Sequence, residues 1–265
     1  MKQLYVIKIG GNIIDDDARL EEFLGHFAAA PGAKILVHGG GKLATRVATD
    51  LQIPQQLVDG RRITDAETLK VVTMVYAGWI NKRIVAALQA LGCSAIGLSG
   101  ADGDVVRARK RSGASIDYGF VGDVEAVNAS LLHTLLEAGH CVVLAPITHD
   151  GAGQLLNTNA DTIAQETATA LAGKYDVQLV YSFEKPGVLR DAENEGSLIA
   201  SINPAQYAQL KADGIVSGGM IPKLDNAFRA LDEGVQAVFI GKAEELHALL
   251  SGQGGTRIQP NDADH

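Results

Sequence analysis

Residues 5 to 12 read Tyr-Val-Ile-Lys-Ile-Gly-Gly-Asn, and residues 37 to 41 read Val-His-Gly-Gly-Gly. Each is an apolar strand that runs straight into glycines, and the first carries Lys8 just before them. Glycine lets backbone N–H groups approach an anion closely, and a helix that starts after the turn adds its positive end. Two such turns near one another suit a site that holds two anionic groups in line. Phosphoryl transfer to an anionic acceptor needs such a site.

The rest of the chain supplies a scaffold for these turns. Apolar strands are predicted at 3–9, 34–38, 94–98, 141–145, 177–181 and 236–240. Helical patterns fall near 16–29, 42–51, 66–91, 130–138, 160–172, 204–213, 222–233 and 243–250. Continuous apolar strands alternating with amphipathic helices predict an α/β fold with a mainly parallel sheet covered on both faces. The stretch 104–127 reads instead as a hairpin-rich insertion, with strands at 105–108 and 120–127. Ligands of such sheets gather beyond the carboxyl ends of the strands, where Gly10-Gly11, Gly39 to Gly41, Ser99-Gly100 and Ser182 fall.

Composition narrows the function classes. A net charge of −8 argues against a nucleic-acid partner, which wants a basic face. An anionic substrate must then be held by a few placed cations rather than by an overall field. No uncharged apolar run reaches the roughly 18 residues of a membrane span, and the N-terminus enters a strand without a charged-then-apolar leader. The expectation is a cytoplasmic protein with no membrane partner. Cys93 and Cys141 lack metal-ligand spacing and read as plain buried thiols in a reducing compartment.

Several residues stand out against this scaffold. Lys8 ends a strand that should be buried, where a lone lysine is costly without an anion; the alternative is a snorkelling lysine at an exposed strand end. His38 reads as a packed or hydrogen-bonding side chain rather than a base. Arg61 and Arg62 precede a helix with Thr64 as candidate N-cap; Arg61 reads as solvated, while Arg62 can fork a carboxylate. Asn157-Thr-Asn-Ala-Asp161 resembles a calcium loop, but Thr162 and Ala168 stand where its glycine and acid should be, so calcium is rejected. What remains is a polar loop entering a helix, with Asn159 or Asp161 at the cap. In Gly218-Gly-Met-Ile-Pro-Lys223 a lysine sits near a helix start, which marks either a bound anion or a solvated side chain. No P-loop, dinucleotide fingerprint or nucleophile elbow is present.

Taken in order, Lys8-Ile-Gly-Gly, Val37-His-Gly-Gly-Gly, Gly60-Arg-Arg-Ile-Thr64, Asn157-x-Asn-Ala-Asp161 and Gly218-Gly-Met-Ile-Pro-Lys223 resemble the amino-acid kinase family. The ending Gly255-Thr-Arg-Ile258 adds to the likeness, which covers nearly the whole chain. The nearest likeness is to members that phosphorylate N-acetyl-L-glutamate on the route to arginine. The resemblance implies a three-layer αβα sandwich, with an N-terminal lobe at about 1–173 for the acyl-amino acid and dimerisation. A C-terminal lobe at about 174–258 would take ATP. It implies γ-phosphoryl transfer to the side-chain carboxylate, with N-succinyl-L-glutamate as the alternative acceptor. Lys8 and Lys223 would stabilise the transferring phosphoryl group, with Asp161 between them holding both in place. Gly40 and Gly41 would bind the acyl-glutamate through N–H groups, Arg62 would grip its α-carboxylate and Asn157 would contact its α-substituent. Gly10 and Gly11 would face the phosphate. Nucleotide contacts would come from Phe183, Glu184, Lys185, Gly187, Leu189, Ile215, Val216 and Ser217. Mg²⁺ would be held mainly by the ATP, with no dedicated protein metal site.

Two departures accompany the resemblance. Ser182-Phe-Glu-Lys-Pro-Gly-Val-Leu189 stands where many relatives have an aspartate, a small residue and glycine, one residue shorter. The chain also begins almost at its first strand, whereas arginine-inhibited relatives carry an extra N-terminal helix that links dimers into hexamers. The expectation is an unregulated homodimer with 66–91 as its dimer helix. Among competing readings, glutamate, carbamate and uridylate kinases share the lysine-glycine start but match the Arg62 and Asn157 segments less well. Aspartokinase would need a further regulatory domain. A non-catalytic sensor on the same fold would be expected to lose a lysine or Asp161, and all three are kept.

Overall fold

A computed structural model describes residues 1–58, 61–113 and 116–260; Gly60 of the arginine motif lies outside them. The central sheet has eight strands, in the order Ser201–Ile202, Thr256–Ile258, Ala237–Lys242, Tyr175–Phe183, Lys2–Ile9, Ala33–His38, Cys141–Leu144 and Ala95–Leu98. Six of these are the strands read from the apolar runs. The two at one edge were not predicted, because two or three residues leave no periodicity to read. Every pairing is parallel except that of Thr256–Ile258 with Ala237–Lys242. Helices cover both faces, giving the three-layer αβα arrangement.

Strand alternation decides where the first lysine points. Leu4 and Val6 face the layer built on helices Ala160–Leu171 and Met220–Asp232, while Ile7 and Ile9 face the opposite layer with Phe23 and Phe27. Lys8 shares the parity of Leu4 and Val6, so it emerges under the first turn of Ala160–Leu171. Register does the rest. Ile9 pairs with His38 on one side and Ser182 on the other, so three strands release their loops at one level.

The predicted insertion is a hairpin of Val106–Lys110 with Gly122–Val127, widened by Ile147–His149 and Leu155–Asn157 into a four-stranded sheet. It leans on the arginine segment: Thr64 N–H donates to Tyr118 O at 2.9 Å, and Phe120 N–H donates to Thr64 O at 2.7 Å. Thr64 is thereby a buried bridge residue rather than the N-cap expected of it. Asp65 is the cap, its carboxylate accepting from Thr68 N–H.

Helix Ala66–Ala90 runs unbroken, with a π-helical stretch over Thr73–Ile80. By length and composition it could cross a membrane, and 44% of its apolar window is buried against the rest of the chain. Met74 and Trp79 remain exposed on it. One of the two cysteines departs from expectation. Cys141 is buried and Cys93 only half-buried, and their sulfurs lie 3.2 Å apart as neighbouring free thiols.

Candidate active site

Asp161 sits between the two lysines. Its Oδ1 lies 2.8 Å from Lys8 Nζ and its Oδ2 lies 3.0 Å from Lys223 Nζ, with all three side chains under a fifth exposed. Asn159 caps the helix, accepting from the N–H groups of Asp161 and Thr162, which leaves the Asp161 carboxylate free to turn towards the lysines. Burial alone would push the Asp161 carboxyl up, but Lys8 and Lys223 outweigh it and hold it well below the usual carboxylate range. For Lys223 burial wins: its pKa is lowered although Asp161 opposes the shift, and Lys8 adds to it. Its ammonium also lies 4.9 Å from the centre of the Tyr181 ring. Two cations share one anion here, so the cluster keeps an excess positive charge at the sheet edge.

A cavity of about 420 Å³ opens beside this cluster, lined by Gly39 to Gly41, Arg62, Asn157 and Asp161 among others. Gly40 has a φ of +146°, and an added Cβ would come within 2.2 Å of Ile80 Cδ1, so only glycine fits. Helix Gly41–Asp50 starts there, so its first N–H groups face the opening without intrahelical acceptors. Arg62 is held by Gly41 O and Thr45 Oγ1, each at 2.8 Å, and by Gln55. Asn157 Nδ2 donates to Thr64 Oγ1 at 3.0 Å. Arg61 is exposed as expected, although it reaches the rim of the same cavity.

The two halves of the first glycine pair differ. Gly10 N–H already donates to Ser182 O at 3.0 Å, so it is not the phosphate donor the motif implied; Gly10 serves close packing against Phe183. Gly11 opens the short helix Gly11–Ile14. A smaller cavity of about 180 Å³ is lined by Phe183, Lys185, Gly187, Val188, Leu189, Ala192, Ile215, Val216, Ser217 and Met220. That set contains every expected nucleotide residue except Glu184, which lies outside the lining.

Sequence reasoning missed Lys42, Tyr76, Arg111 and Asn226 in the larger cavity. Lys42 carried a signal, as a cation in the first turn of a helix that follows three glycines. Tyr76 and Asn226 carried none, because each lies mid-helix and is aimed by packing alone.

The amino acid kinase family matches residues 3–242. Acetylglutamate kinase of Bacteroides fragilis is 55% identical over 258 residues, covering 97% of each chain. That of Cytophaga hutchinsonii is 56% identical over 252 residues, covering 95% of this chain and 96% of its own. Among solved structures, N-acetylglutamate synthase from Neisseria gonorrhoeae, complexed with coenzyme A and N-acetyl-glutamate, superposes with a TM-score of 0.81 at 23% identity. That match covers 97% of this chain and 59% of the synthase, and it speaks for the fold alone. With its lysines, glycine turns and arginine gathered at one sheet edge, and with the family spanning residues 3–242, the chain belongs to the amino-acid kinase family.

Proposed function

We propose that the chain is an ATP-dependent kinase that phosphorylates the side-chain carboxylate of N-acetyl-L-glutamate, giving N-acetylglutamyl 5-phosphate and ADP in arginine biosynthesis. The kinases of Bacteroides fragilis and Cytophaga hutchinsonii support the acceptor. The observation that carries the reaction type is the Lys8–Asp161–Lys223 cluster, whose Asp161 lines the cavity formed by the glycine turn and Arg62.

The chemistry follows from that placement. The accepting carboxylate is ionised at neutral pH, so no general base is needed. Catalysis reduces to alignment and charge stabilisation. Lys8 and Lys223 reach the transferring phosphoryl group from opposite sides, and Asp161 fixes their separation. Gly11 adds a backbone donor to the same group. The N–H groups of Gly40 and Gly41 hold the acyl-glutamate, Arg62 takes its α-carboxylate and Asn157 its α-substituent. Adenine and ribose lie against the segment from Phe183 to Leu189 and the segment from Ile215 to Ser217. Both Asp161 oxygens face lysines, and among the described residues no cluster of metal-ligating side chains is present, so Mg²⁺ would be held mainly by the ATP phosphates, whose charge it would lower. In lobe terms, residues 1–173 serve the acyl-amino acid and residues 174–258 the nucleotide. Met74 and Trp79, exposed on the Ala66–Ala90 helix, support a homodimer across that face, in a cytoplasmic enzyme.

A second acceptor is favoured by one observation. Arg61 and Arg111 line the acyl cavity in addition to Arg62, and the extra carboxylate of N-succinyl-L-glutamate would meet a guanidinium there. Hydroxylamine trapping of the acyl phosphate, with N-acetyl-glutamate, N-succinyl-glutamate and free glutamate in parallel, tests both. Turnover of an N-acyl form but not of glutamate is expected. No turnover by folded protein would overturn the kinase reading.

A further inference from the structure

His38 ends the strand that leads into the second glycine turn, and it is fully buried, yet no step above uses it. Its ring is part of a defined relay. Nδ1 lies 2.8 Å from Gly39 O, and a carbonyl can only accept, so Nδ1 carries the proton. Nε2 is then an acceptor, and Asn81 Nδ2 lies 3.3 Å from it. The same Nδ2 donates to Val143 O at 3.0 Å, while Asn81 Oδ1 accepts from Lys82 Nζ at 3.0 Å. Flipping the Asn81 amide would set its oxygen against the Val143 carbonyl, so the relay has one consistent arrangement. Burial, which the Gly39 hydrogen bond only partly offsets, lowers the His38 pKa to about 4 and keeps the ring neutral in this tautomer.

The Gly39 carbonyl and the Gly40 N–H belong to one trans peptide unit, so they point in opposite directions. Drawing the carbonyl down onto His38 turns the Gly40 N–H away from the core and towards the acyl cavity, which Gly39 and Gly40 both line. Among the described residues that N–H meets no protein acceptor. A peptide between two glycines has little steric restraint of its own, so something else must fix its plane.

We propose that His38 is a positioning residue for the acyl substrate: through the Gly39 carbonyl it holds the Gly39–Gly40 peptide so that the Gly40 N–H faces the acyl-glutamate. This rests on the acyl-glutamate reading above. The Asn81 contact ties that orientation to the Ala66–Ala90 helix, from which Tyr76 and Ile80 also pack against Gly40.

The test is steady-state kinetics with N-acetyl-L-glutamate and ATP on the parent, His38→Asn and His38→Leu proteins. Asn keeps a donor near the Nδ1 position and Leu removes it. Leu should raise KM for N-acetyl-glutamate on the order of tenfold or more, the value of a hydrogen bond to a charged group. KM for ATP should stay within about twofold, and Asn should stay within about threefold of the parent for both substrates. Both variants lose the Asn81 contact and should melt lower, so a merely structural role would make KM follow Tm. Equal KM values in the two variants, or a parallel rise in KM for ATP, would overturn the proposal. Should the Leu protein not fold, ¹⁵N chemical shifts of the parent's His38 ring decide. The Nδ1–H tautomer, perturbed by N-acetyl-glutamate alone, supports the proposal, and the Nε2–H tautomer overturns it. A parent protein that neither binds nor phosphorylates N-acetyl-glutamate would sink the acyl-glutamate reading instead.

Discussion

The cavity proposed for the acyl-glutamate and the one proposed for the nucleotide are built differently. On the acyl side, groups distant in sequence brace one another: Arg62 to the Gly41 carbonyl and Thr45 Oγ1, Asn157 to Thr64, Lys8 and Lys223 to Asp161. On the nucleotide side the lining is mostly apolar, with Val188, Leu189, Ile215, Val216 and Met220 supplying shape rather than charge. A braced polar site recognises one arrangement of charges, because a misfitting ligand leaves buried donors unpaired. An apolar slot tolerates small changes in its walls, since each methylene changes affinity only modestly. On the proposed assignment, the difference teaches where this enzyme would set its selectivity: at the acceptor, with ATP held by fit.

Substitutions should expose the contrast, most sharply at the shared cluster. Asp161→Asn leaves two buried lysines without their counter-charge and should cost about 3–5 kcal/mol of stability, read by urea unfolding. A loss under about 1 kcal/mol would mean the lysines find other partners. Lys8→Ala keeps the Asp161–Lys223 pair and should instead lower kcat on the order of 10² to 10³ with the fold intact by circular dichroism. Near-normal turnover would remove Lys8 from the mechanism. On the acyl side alone, Arg62→Lys loses the fork to a carboxylate and should raise KM for the acyl-glutamate by about tenfold while KM for ATP holds. On the nucleotide side alone, Leu189→Ala should raise KM for ATP by only about two- to fivefold. A larger penalty at Leu189 than at Arg62 would reverse the comparison.

Legibility followed the same divide between repeated pattern and single contact. The strand Lys2–Ile9 could be read from its apolar run, and its parity explains why Lys8 meets Asp161 rather than the opposite helix layer. The two lysines and Asp161 were legible as a set only through the resemblance to the amino-acid kinase family; read locally, Lys8 alone stood out as a buried charge that needs a partner. Edge strands such as Ser201–Ile202 were not, since pairing rather than pattern defines them. Nor could one infer that Gly10 N–H is taken by Ser182, or that Thr64 is locked between Tyr118 and Phe120, leaving the cap to Asp65. Those outcomes depend on which strands become neighbours. The meeting of Cys93 with Cys141 has the same cause, for the residues join only when Ala95–Leu98 pairs with Cys141–Leu144.

The π-helical stretch over Thr73–Ile80 acts as a phase setter. Each of its turns takes in one residue more than an α-turn, whereas an α-helix advances about 100° per residue. Tyr76 and Ile80 meet Gly40, and Asn81 meets His38, only at the phase this stretch imposes. Deleting a single residue there would swing Asn81 off the imidazole by roughly that angle, and would disturb the packing of Tyr76 and Ile80 on Gly40, while leaving Lys8, Asp161 and Lys223 in place. The number of residues in a helix that touches no phosphate is thus one of the dimensions of the active site.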